Sequence, residues 1–194
     1  MLVERLDIRR CLSIERAAAL DRQLEKEELP DITIENVQSF AQGYLDTLPE
    51  MLQESVAEVF EWLRPRQLRY KTDSVFELQD RAIARSVIDT TWRQLPHTRW
   101  RVCHYYTKNL TALENVFTAL DGKGMMTRNY LSDLHMAIEK APAESGRGET
   151  PYFEFRACRN GNLHLRFKRA DLLARFNALA GGKRLKTNLK DDAA

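Results

Sequence analysis

The sequence predicts an α+β fold, with an N-terminal helical bundle followed by a small antiparallel sheet of about three strands packed on helices. Three observations carry this expectation. Through residue 96, apolar residues recur every three or four positions, as on one face of a helix. After Pro96, "TRWRVCHYY", "YFEFRAC" and "LHLRFK" alternate polar with apolar side chains, as half-buried strands do. Asn160-Gly161 separates the last two, where the chain must turn tightly. The chain divides into a helical region over 1–96, an α+β region over 97–182 and a polar, mobile tail over 183–194, all in one compact unit.

The elements follow in order. "RLDIRRCLSIERAAALDRQLEKEEL" spaces Leu6, Leu12, Ala17, Leu20 and Leu24 along one stripe, and Pro30 ends it. "PDITIENVQSFAQGYLDTL" restarts at Thr33, an N-cap, with Glu35 in the first turn. Gly43 weakens this helix, and Pro49 suits the first position of a separate one, "PEMLQESVAEVFEWL", which Pro65 stops. Asp73 or Ser74 caps a helix over "VFELQDRAIARSVIDTTWRQL". The strand at 98–106 comes next. "NLTALENVFTALDGKG" is a helix closed by Gly122, and "TRNYLSDLHMAIEKA" is a short one capped by Thr127. "PAESGRGET" is a surface loop. After the hairpin, "ADLLARFNALA" is a last helix stopped by Gly181-Gly182.

Composition narrows the function. With 43% hydrophobic residues in 194, the chain can bury a core, and its 30% charged residues are too balanced for disorder. No apolar run has the length of a membrane span, and the N-terminus lacks a signal-peptide apolar region. Cys11, Cys103 and Cys158 lie far apart, as reduced thiols of a cytoplasmic protein do. His97, His104 and His135 lack metal-ligand spacing, and His135 sits on a helix with Leu131 and Leu134 as semi-buried structure. Phosphate-loop, dinucleotide-binding and nucleophile-elbow motifs are missing, so neither a cofactor nor a metal is expected. Charge is uneven. Residues 1–96 hold 13 Lys and Arg against 18 Asp and Glu, a net −5, whereas residues 97–194 hold 17 against 10, a net +7. That asymmetry suits either a polyanion partner or docking of the two halves on each other. The connector "RPRQLRYKTDS" carries Arg64, Arg66, Arg69 and Lys71, as an anion site before a helix or as a solvated linker.

The hairpin's faces follow from counting, because side chains alternate and cross-strand partners share a face. A two-residue Asn160-Gly161 turn would set apolar against charged at every pair. A three-residue loop over Asn160, Gly161 and Asn162, with Asn162 left-handed, pairs Ala157 with Leu165 and Phe155 with Phe167. The other face then pairs Cys158 with His164, Arg156 with Arg166 and Glu154 with Lys168. The strand at 98–106 adds Arg99 and Arg101 to that basic face, with Trp100 and Val102 beneath. Tyr105, Tyr106 and Tyr152 lie nearby. A basic sheet face with aromatic neighbours suits nucleic acid, and His164 with Lys168 suits metal-independent nuclease chemistry.

"FEWLRP…YKTDSVFEL", "LENVFTALDGK" and "YFEFRACRNGNLHLRFKRADLLARFNAL", in that order, resemble domain of unknown function 4942, from about "LPDITIENV" to "NALAGG". The hairpin segment is the most specific part. Lys71 and Thr72 match a Lys-Thr-Asn/Asp motif, Leu120 to Lys123 match Leu-Asp-Gly-Lys, and Asn160, Gly161, Asn162, His164, Phe167 and Lys168 match the hairpin motif. The resemblance implies a bacterial protein of plasmids, prophages and genomic islands. By the same resemblance, some members sit beside toxin–antitoxin genes and some are joined to an adenine-type DNA methyltransferase domain. This chain departs at its N-terminus and has no methyltransferase domain, so methylation is not carried over.

Together these features lead to the expectation of a cytoplasmic mobile-element accessory protein that binds DNA or RNA, linked to restriction–modification or to phage and plasmid defence. Its contacts are Arg156, Arg166, Lys168, Arg169, Arg99, Arg101, Lys71 and Lys123. The alternatives are the nuclease and a protein-interaction module of antirestriction or immunity type. A methyltransferase is a partner consistent with the resemblance, and a membrane is not.

Overall fold

The computed structural model describes residues 14–25, 33–64, 77–90, 99–123 and 131–191. Among them the order is α1 (Ile14–Glu25), α2 (Ile34–Leu63), β1 (Arg81–Ala84), a 3-10 turn (His104–Tyr106), α3 (Thr107–Leu120), α4 (Asp133–Lys140), β2 (Arg147–Glu149), β3 (Phe153–Ala157), β4 (Leu163–Phe167) and α5 (Ala170–Asp191). The fold is α+β, with an antiparallel sheet in the order β1-β4-β3-β2. Among the described residues no helix is long and apolar enough to cross a membrane.

Thr33 caps α2 as expected, its hydroxyl accepting from the Asn36 N–H at 3.1 Å. The two helices expected on either side of Pro49 are one, because α2 runs from Ile34 to Leu63 with Pro49 inside. Pro49 removes one helical hydrogen bond, at about 3 kcal/mol. Burial of Met51, Val56, Val59, Phe60 and Leu63 just beyond it offsets that loss. Arg64 is extended (φ −60°, ψ 143°), the conformation a following proline imposes, so Pro65 ends the helix. α5 likewise passes through Gly181-Gly182 to Asp191 instead of stopping there. Helix-interior glycine costs only about 1 kcal/mol against alanine, and Gly181 lacks the left-handed φ of a helix stop. The segment expected as a mobile tail is helical through Asp191.

Residues 81–84 form a strand where the sequence predicted helix, so the first half of the chain is not wholly helical. The burial of Arg81-Ala82-Ile83-Ala84 alternates out, in, out, in, a period of two that the longer helical spacing had masked. Asn177 of α5 holds the approach to this strand, accepting from the Leu78 N–H and donating to the Leu78 carbonyl, both at 2.9 Å. The strand expected over 98–106 shrinks to a single bridge, Ile88 to Val102. Tyr106 packs on Trp62 at 6.4 Å, and the chain turns there into α3. Part of the loop expected at "PAESGRGET" is strand β2. α4 is capped by Ser132, whose hydroxyl accepts from the His135 N–H at 3.2 Å. The caps expected at Asp73, Ser74 and Thr127 lie outside the described residues.

The core is one cluster reaching from Val56 to Ala180. The inner sheet face contributes Phe153, Phe155, Ala157, Leu163, Leu165 and Phe167, all buried. Phe117 of α3 is fully buried at the junction of sheet and helices, its ring 5.0 Å from Phe153, 5.3 Å from Phe167 and 5.7 Å from Phe176 of α5. On the same helix, buried Glu114 accepts from the Leu134 N–H at 3.2 Å and so caps α4 from outside. Burial raises its pKa, and the Asp133 charge adds to the rise against those hydrogen bonds.

Two packing predictions follow from this core. Phe117→Ala removes a ring that four others meet, those three and Tyr152 at 6.3 Å, and chemical denaturation should show a loss of about 3–5 kcal/mol. Gly148→Ala places a methyl group 2.5 Å from the Phe155 ring, and the same measurement should show a loss of about 1–3 kcal/mol.

Candidate functional site

The hairpin register decides which side chains face water. Glu154 pairs with Arg166, Phe155 with Leu165, Arg156 with His164 and Ala157 with Leu163. The loop therefore has three residues, the odd number expected, but they are Arg159, Asn160 and Gly161 rather than 160–162. The Gly161 N–H donates to the Cys158 carbonyl at 3.0 Å, and the Cys158 N–H to the Asn162 carbonyl at 2.9 Å. Gly161 takes the left-handed position (φ +89°), where glycine fits more cheaply than Asn162. The shift moves each expected pair by two residues along β4 and leaves the faces as expected. Glu154, Arg156, His164, Arg166 and Lys168 are exposed.

The outer face holds more than the hairpin. β1 sets Arg81 opposite Arg166 and Ile83 opposite His164, while β2 sets Arg147 opposite Arg156 and Glu149 opposite Glu154. Two rows cross the sheet. The row nearer the β3–β4 turn reads Ile83, His164, Arg156, Arg147, and the farther row reads Arg81, Arg166, Glu154, Glu149. Arg81 and Arg147 were missed in the sequence because their strands read as helix and loop. The alternation in "RAIA" was the signal for the first. The second had no such signal, because Gly146 is wedged between the Trp100 indole and the Ala157 carbonyl, where a Cβ would come within 2.7 Å and 2.5 Å, and only the fold shows that. Trp100 is fixed there by donation from Nε1 to the Pro142 carbonyl at 3.0 Å.

The far row is ion-paired. Arg166 meets Glu154 at 3.3 Å, and Lys168 donates to Glu149 at 2.9 Å and to the Thr150 carbonyl at 3.2 Å. His164 and Lys168 stand about 13 Å apart along the chain direction, so the expected nuclease pair is not brought together by the strand. Arg99 and Arg101 are exposed, but they lie on the 99–103 segment bridged to 87–89 instead of on the hairpin sheet. The tyrosines are elsewhere too. Tyr152 is buried, Tyr106 is half-buried on Trp62, and Tyr105 is exposed beside His104 in the 3-10 turn. Lys71 lies outside the described residues. Among the described residues no three His, Cys, Asp or Glu side chains converge as metal ligands would.

Lys123 and Arg169 belong to a separate cluster around Asp121, just past the end of α3. Asp121 accepts from Lys123 Nζ at 2.6 Å and from the Tyr152 hydroxyl at 3.1 Å, and Arg169 approaches it at 3.2 Å. Lys123 also sits 5.6 Å over the Tyr152 ring. Arg169 grips Asp171 with two bonds, of 2.8 and 2.7 Å. The Leu-Asp-Gly-Lys motif thus ties the end of α3 to both strands of the hairpin at its open end. The Lys123 hydrogen bond, then that of Tyr152 and the Arg169 charge, hold Asp121 below the usual carboxylate range, and Arg169 lowers Asp171 to about 2.

A carboxylate with a lowered folded pKa adds stability above its unfolded value, near 4, and loses it as pH falls through the folded value. Asp121→Asn should therefore lower Tm at pH 7, and the gap to the parent should close as both are melted at successive pH values below 4.

No curated protein and no solved structure matches the chain. A family model does match, over residues 1–186, which include the Asp121 cluster and the whole hairpin. The chain belongs to the family described as Domain of unknown function (DUF4942).

Proposed function

We propose that the protein binds nucleic acid through the outer face of its sheet, as a cytoplasmic accessory protein of mobile elements in restriction–modification or in phage and plasmid defence. One observation carries the binding reading. Arg81, Arg147, Arg156, Arg166 and Lys168 share a solvated face with Glu149 and Glu154, and Asp80 stands beside Arg81, which leaves a surplus of two positive charges. The inner face of the same sheet is apolar and covered, so among the described residues the outer face is the one that presents its charges to solvent. The net +7 of residues 97–194 supports the same reading.

Fluorescence anisotropy with labelled DNA and RNA tests it. Both log K and its salt dependence should report phosphate contacts, with a slope of about −0.9 per contact on duplex DNA. Replacing all five cations by Gln should abolish binding. Absence of binding by the parent protein to DNA and RNA alike at about 50 mM salt retires the proposal.

A further inference from the structure

The cations of the outer face are not equivalent. At the far end each has a carboxylate beside it, since Arg166 meets Glu154 at 3.3 Å, Lys168 meets Glu149 at 2.9 Å and Arg81 meets Asp80 at 3.9 Å. At the turn end Arg147 and Arg156 are direct cross-strand partners, and His164 is the next residue in the row. Among the described residues, none of these three side chains has a hydrogen-bond or ion-pair partner. Arg85, directly after β1, and Arg159, in the turn, are exposed at the same end. Like charges directly opposite each other destabilise a sheet. The fold therefore carries an unrelieved repulsion at one end of a face that is otherwise self-neutralised.

We infer that the turn end of this face is the phosphate-contacting site, with Arg147 and Arg156 as its principal ligands and His164 beside them, and that its occupant is the backbone of a nucleic-acid duplex. This rests on the nucleic-acid reading above. Arginine forks match phosphate oxygens bidentately. Three neighbouring strands space these side chains over about 10 Å, a span in which a duplex presents several phosphates. Single-strand binders add aromatic platforms on which bases stack. This face carries no Phe, Tyr or Trp on its four strands. A duplex, with bases stacked inward and phosphates outward, asks for no such platform.

The test compares two double variants of the full chain, Arg147→Gln with Arg156→Gln, and Arg166→Gln with Lys168→Gln. Each removes two charges, so the comparison separates position from net charge. Anisotropy is read with a labelled random-sequence duplex of about 20 bp and with one of its strands, and melting curves check folding. The turn-end variant should lose about tenfold or more in duplex affinity at low salt, its salt slope should fall by about two, and its Tm should hold or rise. The far-end variant should lose less, and the parent should prefer duplex to single strand. A larger loss in the far-end variant, or preference for the single strand, overturns the inference and leaves nucleic-acid binding standing. Failure of the parent to bind either probe overturns both.

Discussion

A left-handed glycine governs this molecule. Gly161 can hold φ +89° because it has no Cβ, and so it closes a three-residue loop between β3 and β4. Three is odd, and that parity sends Phe153, Phe155, Leu163, Leu165 and Phe167 to the helices and Arg156, His164 and Arg166 to water. The same residue has a second task, since its carbonyl accepts from the Ile88 N–H at 2.9 Å. Ile88 in turn bridges Val102, so the path that leads from β1 toward α3 is hung on the hairpin turn. A side chain at 161 would meet Thr90 Cγ2 at 3.3 Å in addition to its backbone strain.

Beneath the sheet, α3 connects the two ends of the problem. Phe117 seats the hairpin's aromatic residues against α5, and one turn later Asp121 gathers Tyr152, Lys123 and Arg169. Tyr152 precedes β3 and Arg169 follows β4, so a single carboxylate fixes where both strands enter and leave. Arg175 of α5 donates to the Leu120 carbonyl at 3.1 Å and closes the same corner from the other side. Rigidity of the outer face is thus supplied from below, by apolar packing along its length and by charged hydrogen bonds at one margin.

How much of this was legible follows from the range of each signal. The hairpin's faces, the Thr33 cap and the Gly122 end of α3 depend on residues close in sequence, and they read correctly. β1 was hidden because four residues of period two lie inside a longer stretch with helical spacing, and what makes them a strand is pairing with β4, some eighty residues on. β2 was hidden because Gly146 and Gly148 look like loop residues until Trp100 and Phe155 occupy the space where their side chains would stand. Pro49 read as the start of a separate helix because its local cost is real, but burial of the turns beyond it outweighs that cost, and the smaller cost of Gly181-Gly182 does not interrupt α5. The basic character of the hairpin was therefore visible in the sequence, whereas the arginine–arginine pair across β2 and β3 required the fold.

The sheet ends in two short borders, four residues at β1 and three at β2. Border strands leave backbone donors and acceptors open on one side, a template onto which a foreign or identical strand can zip. Here the template at β2 is Arg147-Gly148-Glu149, too brief for a cooperative ladder and guarded by opposite charges. The feature that displays an arginine to solvent also makes this edge a poor template for amyloid-like stacking.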